Sequence, residues 1–169
     1  MFHKLTGYFN RVILQPLVEE DIEPLRVLRN RERKWFIYSE EINWKSQQLW
    51  FGKYLQKEND YMFSVTEMNR PNVFIGAVAL YNVINDEKTC EFGRIVIDRE
   101  AATQKELGFD TTVCACEIGF KQLGLKRIVL EVFKDNIRAV KTYQKTGFIT
   151  YGETNGILKM ELIKDEFNI

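Results

Sequence analysis

A buried strand that passes directly into a capped helix commits a chain to mixed α/β packing, and residues 125–148 spell that unit in full, L-K-R-I-V-L-E-V-F-K-D-N-I-R-A-V-K-T-Y-Q-K-T-G-F. Residues 127–133 are rich in branched and aromatic side chains, with Ile128, Leu130 and Val132 alternating, which is the pattern of a strand with one face buried. Asp135 and Asn136 stop the strand, and either can cap the helix that follows. In that helix Ile137, Val140, Tyr143 and Gln144 share one stripe, Gly147 sits where helices end in a left-handed residue, and Phe148 opens the next strand.

The same reading applies along the chain. Residues 11–18 form a first strand, with Pro16 requiring an edge or a bulge. Asp21 caps a helix carried by Ile22, Leu25, Val27, Leu28 and Arg29 to Asn30, and the charged run after it is a solvated break. Trp35, Phe36 and Tyr38 put three rings in a loop, where such surface packs under the sheet or lines a ligand pocket. Asn43 or Ser46 starts a second helix bearing Leu49, Trp50, Tyr54 and Leu55. Residues 61–66 and 73–81 form a hairpin in which Gly76 marks a bulge or a close backbone approach. Residues 90–98, C-E-F-G-R-I-V-I-D, give the longest strand signal, with a bulge at Gly93. A helix over residues 108–123 ends at Gly124, and residues 157–163 form the last strand. One α/β (α+β) domain over residues 1–169 follows, a mostly antiparallel mixed sheet of about seven strands flanked by about four helices.

Charge and cysteine usage narrow the function classes. The chain carries 24 basic and 24 acidic side chains, which gives no electrostatic argument for nucleic acid or an anionic membrane. Cys90, Cys114 and Cys116 lack metal-ligand spacing and read as packed, reduced thiols. The single histidine, His3, lies near a terminus expected to be mobile, which argues against histidine triads and multi-histidine metal sites. No apolar run approaches the roughly 20 residues that span a bilayer, and the first residues lack a signal-peptide core. A cytoplasmic protein without a metal is expected.

The strand, the Asn136 cap, Ala139 three residues on, Tyr143 four after that and the Gly147-Phe148 end resemble the last conserved segment of the GCN5-related N-acetyltransferases, and the element order over about residues 12–163 is similar to theirs. The resemblance implies acetyl-coenzyme A as co-substrate, with Asn136, Ala139 and Tyr143 facing its pantetheine arm and thioester. It also implies that the backbone of Arg94, Ile95, Val96 and Ile97 pairs with the pantetheine amides as an added strand would. The family's pyrophosphate loop has Gln or Arg, two residues, Gly, one residue, then Gly or Ala. Here Thr103 and Glu106 occupy the first two fixed positions and only Gly108 fits. Three readings follow: a different loop path with Gln104 and Lys105 supplying donors, weakened coenzyme binding, or a decayed site; the first is favoured, with Gln104, Lys105, Glu106, Leu107, Gly108 and Phe109 as the candidate cradle.

Acetyl transfer needs an acid for the leaving thiolate and a base for the amine. Tyr143 is the candidate acid. Glu91 is the candidate base, on the expectation that burial beside Phe92 raises its pKa; pairing of Glu91 with Lys88 or Arg94, and a water chain as base, stay open. The N-terminal pattern L-R-V-L-R-N, then W-F-I-Y-S, resembles the branch that acetylates the 4-amino group of UDP-linked amino-dideoxy sugars, as in pseudaminic acid synthesis. That resemblance makes Arg29, Asn30, Tyr38 and Ser39, with Glu91, the acceptor pocket for a small-molecule amine, a nucleotide sugar, in a monomer or homodimer. A protein N-terminal acetyltransferase of the ribosomal type and a non-catalytic acyl-coenzyme A module are the alternatives.

Overall fold

The structure, a computed structural model, describes residues 3–169. Eight strands form a mixed sheet in the order β1-β2-β3-β4-β5-β6-β8-β7: β1 Gly7–Phe9, β2 Val12–Pro16, β3 Tyr61–Glu67, β4 Gly76–Ile84, β5 Thr89–Ile97, β6 Arg127–Phe133, β7 Ile149–Thr154 and β8 Ile157–Ile163. Four α-helices accompany them among the described residues: α1 Ile22–Arg31, α2 Trp44–Tyr54, α3 Leu107–Lys121 and α4 Ile137–Thr146. The eighth strand, beyond the seven expected, is β1, which turns through Asn10 in the left-handed region (φ 50°) and pairs antiparallel with β2.

Each sheet face has its own apolar layer. On one side α3 and α4 cover Leu14, Phe63, Val78, Leu80, Phe92, Ile128 and Leu130. On the other, Leu25 and Leu28 of α1 and Phe51 and Tyr54 of α2 pack on Met62, Ala77, Ala79 and Val96. Neighbouring β-residues point to opposite faces and both faces are covered, so a central strand is buried along its length: β3 is buried from Met62 to Glu67, with Ser64, Thr66 and Glu67 among the buried residues. Pro16 lies at the end of β2, past the last residue paired with β1, so its missing N–H costs no ladder bond.

Several local expectations shift. Asp21 occupies the cap position of α1 but makes no cap bond; its carboxylate turns back to the Val18 N–H and the Ser64 hydroxyl, because a 3-10 turn over Glu19–Asp21 precedes the helix. Asn43, rather than Ser46, caps α2, accepting from the Ser46 N–H at 2.9 Å. Leu49 and Val27 are exposed, since Gln47, Phe51 and Tyr54 form the buried stripe of α2 and Ile22, Leu25 and Leu28 that of α1. In α4 the buried residues are Tyr143 and Thr146, whereas Ile137 and Gln144 face out. His3 is docked: its ring meets Phe63 edge-on at 4.8 Å, its Nε2 contacts the Met62 carbonyl at 2.9 Å, and burial pushes its pKa down. The three cysteines are buried and unbridged. No helix among the described residues is long and apolar enough to cross a membrane.

Candidate active site

Strands β5 and β6 run parallel but pair only over Thr89 to Glu91 against Arg127 to Val129, after which they diverge. A bulge drives the divergence. Between the pairs Ala79↔Gly93 and Ala77↔Val96, β5 carries one more residue than β4, and Arg94 enters the left-handed region at φ 52°. The expected bulge is thus present, with Arg94 rather than Gly93 taking the unusual conformation. Gly76 supports it from β4, because a Cβ there would lie 2.2 Å from the Val96 carbonyl oxygen. The gap opens a cleft of about 800 Å3 in which Ile95, Val96 and Ile97 form one wall and Glu131, Val132 and Phe133 of β6 the other. Past Glu91, β5 has no strand on its β6 side.

Tyr143 and Asn136 come to this cleft from α4. The Tyr143 ring is 7% exposed and is fixed by edge contacts with Phe92 at 5.8 Å and Phe148 at 5.9 Å. Burial pushes its phenol pKa well above the ordinary value, so the hydroxyl stays protonated and can donate. Asn136 caps α4, its Oδ1 accepting from the Ala139 N–H at 3.3 Å, and both residues also line the cleft. Capping uses the oxygen of the amide, and its Nδ2 remains a donor.

The loop entering α3 supplies a second set of donors. Glu106 adopts the left-handed conformation (φ 59°, ψ 19°) that glycine favours, and its exposed carboxylate lies 3.6 Å from Lys145. The backbone N–H groups of Lys105, Glu106, Leu107 and Gly108 have no partner among the described residues, and all four residues line the cleft with Gln104. Gln104 differs from expectation, because its N–H is taken by the Glu67 carboxylate at 3.0 Å. Phe109 faces an adjoining depression with Arg138, Lys141 and Lys145, and the Lys145 ammonium lies 4.2 Å from its ring centre. That basic row was legible as an i, i+3, i+7 spacing on α4 and was missed. Free N–H groups at a helix start, the helix dipole and nearby cations are the chemistry an anionic diphosphate requires, so these residues fit coenzyme A.

Arg29 also lines the cleft, half-buried from α1, with its guanidinium 3.9 Å from the Phe36 ring centre and Nη2 bonded to the Tyr38 carbonyl at 3.3 Å. Its Nε has no partner and no carboxylate pairs with it among the described residues; burial, then the nearby Arg94, push its pKa down. Tyr38 and Glu91 line the cleft as expected, whereas Asn30 and Ser39 do not. The Asn30 amide grips both the N–H and the carbonyl of Ile42 at 2.8 Å and so fastens the aromatic loop. Glu91 accepts from Asn82 Nδ2 at 2.9 Å and stands opposite Tyr81 on β4, whose phenol pKa burial and Glu91 push up. The Arg94 guanidinium lies over the Tyr81 ring at 4.2 Å and bonds Asp60 at 2.7 Å. Tyr81 and Arg94 were missed as cleft side chains, because the pairing of Tyr81 with Glu91 depends on a register shift between Tyr81 and Ile84 that alternation does not reveal.

A family model described as an acetyltransferase (GNAT) domain matches residues 11–149. Among solved structures, a nucleotide-linked sugar GNAT, FdhC, superposes with a TM-score of 0.84 at 23% identity, covering 99% of this chain and 93% of that one. Spermidine N-acetyltransferase from Vibrio cholerae, in complex with CoA and spermine, gives a TM-score of 0.81 at 22% identity, with 93% and 98% covered. A dodecameric structure of the same enzyme in an intermediate state gives 0.76 at 21%, with 93% and 96% covered. At such identities the likeness is one of fold. No curated protein matches this sequence. The matched domain covers most of the chain and contains Glu91, the divergent β5–β6 pair, the loop at Glu106 and the Asn136-Tyr143 segment, and the chain therefore belongs to the GNAT acetyltransferase family.

Proposed function

We propose that this protein transfers the acetyl group of acetyl-coenzyme A to the 4-amino group of a UDP-linked amino-dideoxy sugar. The observation that carries the choice of acceptor is Arg29, a guanidinium held in the cleft by the Phe36 ring and the Tyr38 carbonyl without a carboxylate partner among the described residues. A half-buried cation with a free Nε fits an anion, and the rings beside it fit a flat heterocycle, so a nucleoside diphosphate meets both needs. A polyamine acceptor would place further positive charge beside Arg29.

The coenzyme supplies an acetyl thioester. Lys105, the backbone N–H groups at the start of α3, and the basic row of α4 hold its phosphates. The open edge of β5 at Ile95, Val96 and Ile97 receives the pantetheine amides, with Asn136 and Ala139 opposite. Glu91 accepts the proton released as the amine nitrogen bonds to the acetyl carbon, directly or through water. Tyr143 donates a proton to sulfur as the carbon–sulfur bond breaks, and its raised pKa keeps that proton available.

Thiol release from acetyl-coenzyme A in the presence of a UDP-4-amino-dideoxy sugar, an N-terminal ribosomal-type peptide and spermidine tests this reading. Turnover with the nucleotide sugar supports it. Turnover with the peptide alone gives the N-terminal acetyltransferase instead, and binding without turnover gives a non-catalytic acyl-coenzyme A module.

A further inference from the structure

Glu67, at the end of β3, is wholly buried, and its carboxylate is saturated by the loop that leads into α3. Its Oε1 accepts from the Thr103 N–H at 3.0 Å, the Thr103 hydroxyl at 2.9 Å and the Gln104 N–H at 3.0 Å. Its Oε2 accepts from Arg70 Nε at 3.1 Å and from Arg70 Nη2, and the same Nη2 reaches the Ala101 carbonyl at 2.6 Å. Upstream, Asp98 Oδ1 collects the N–H groups of Glu100 and Ala101 and the Arg31 guanidinium. The next four backbone N–H groups, from Lys105 to Gly108, are those left without a partner among the described residues.

We infer that Glu67 is a positioning residue for the coenzyme loop: by tying down the N–H groups of Thr103 and Gln104, it fixes the chain so that the following N–H groups are preorganised for a diphosphate. This rests on the reading of that loop as the coenzyme's phosphate cradle. Two observations make the inference specific. A sequence with a glycine only at position 108 cannot rely on bare backbone to shape the loop, so an external anchor supplies the shape. A buried carboxylate is also strongly destabilising unless fully paired, and Glu67 is paired on both oxygens. Burial alone would raise its pKa, but the bonds from Arg70 and Thr103 outweigh it and hold the carboxyl ionised below the usual range.

Calorimetric titration of acetyl-coenzyme A, with displacement by S-acetylpantetheine, which lacks the diphosphate, tests the inference on the full chain. Glu67→Gln keeps the shape but leaves donors facing an amide, and raises the Kd of acetyl-coenzyme A about tenfold or more while that of S-acetylpantetheine moves less than about twofold. Thr103→Val, which removes one of the bonds and spares the charge, shifts acetyl-coenzyme A in the same direction by about threefold and decides the matter if Glu67→Gln does not fold. Equal weakening of both ligands, or a folded variant with unchanged affinity for both, overturns the positioning role. Wild-type protein that does not bind acetyl-coenzyme A overturns the cradle reading and this inference together, whereas binding without transfer to a nucleotide sugar leaves the inference standing.

Discussion

The rings of Phe92 and Tyr143 meet edge-on at 5.8 Å with 78° between their planes, which locks the Tyr143 side chain across the mouth of the β5–β6 divergence. Its orientation is thereby set by packing and not by a hydrogen bond of its hydroxyl. Tyr143→Phe preserves that packing and removes only the proton donor, so it is expected to lower kcat about 100-fold or more with little change in acetyl-coenzyme A affinity or Tm. Steady-state thiol release and calorimetry on the same preparation check this.

Alkali provides a second test. Tyr143 and Tyr81 both have pKa values raised above the ordinary 10.0, the first by burial and the second by burial and then Glu91. Once pH passes the unfolded value the denatured chain releases protons that the folded chain retains, so stability falls as pH rises beyond about 10. The Tm of the wild type is expected to hold up to the unfolded phenol value of 10.0 and to drop progressively above it, and that of Tyr143→Phe to drop less. Thermal melts at a series of pH values decide this.

Much of the site was legible in the sequence and the rest was not, for physical reasons. The unit from β6 to β7 is specified by neighbours in sequence: alternation fixes β6 as Arg127–Phe133, Asn136 caps α4, and Gly147 ends it at φ 105°. Adjacent helical residues point about 100° apart, so Arg29 and Asn30 could not both face the cleft, and which one does depends on how α1 sits on the sheet. Glu67, just past the strand read over residues 61–66, carried no local signal, because its partners Thr103 and Gln104 lie 36 and 37 residues away. The short β1 carries almost no periodic signal and is fixed by tertiary contacts, including the Arg11–Asp110 pair at 2.7 Å that ties its hairpin to α3.

Glu106 invites a gain rather than a loss. A left-handed non-glycine residue costs about 1–2 kcal/mol, much of which glycine returns to the unfolded chain as entropy, so Glu106→Gly is expected to change Tm little. Removing a carboxylate beside the proposed phosphate cradle is expected to tighten acetyl-coenzyme A about threefold, within the range of exposed charge effects. Calorimetric titration at low and high salt measures both the gain and its screening.

Arg29→Gln separates acceptor from coenzyme. Loss of the guanidinium is expected to raise KM for the nucleotide sugar about tenfold or more while leaving the Kd of acetyl-coenzyme A within about twofold, since charged hydrogen bonds contribute about 1.5–3 kcal/mol. Arg29→Lys keeps the charge but loses the planar fork that stacks on Phe36, and is expected to recover only part of the loss. Initial-rate kinetics with each substrate varied in turn distinguish the two constants.

The most direct measurement is kcat/KM for acetyl transfer to a UDP-4-amino-dideoxy sugar, compared with the same sugar lacking UDP and with spermidine. If Arg29 and the rings around it act on the nucleotide as proposed, the UDP-linked sugar exceeds both by about 100-fold or more. Equal rates with and without UDP, or a higher rate with spermidine, would contradict it.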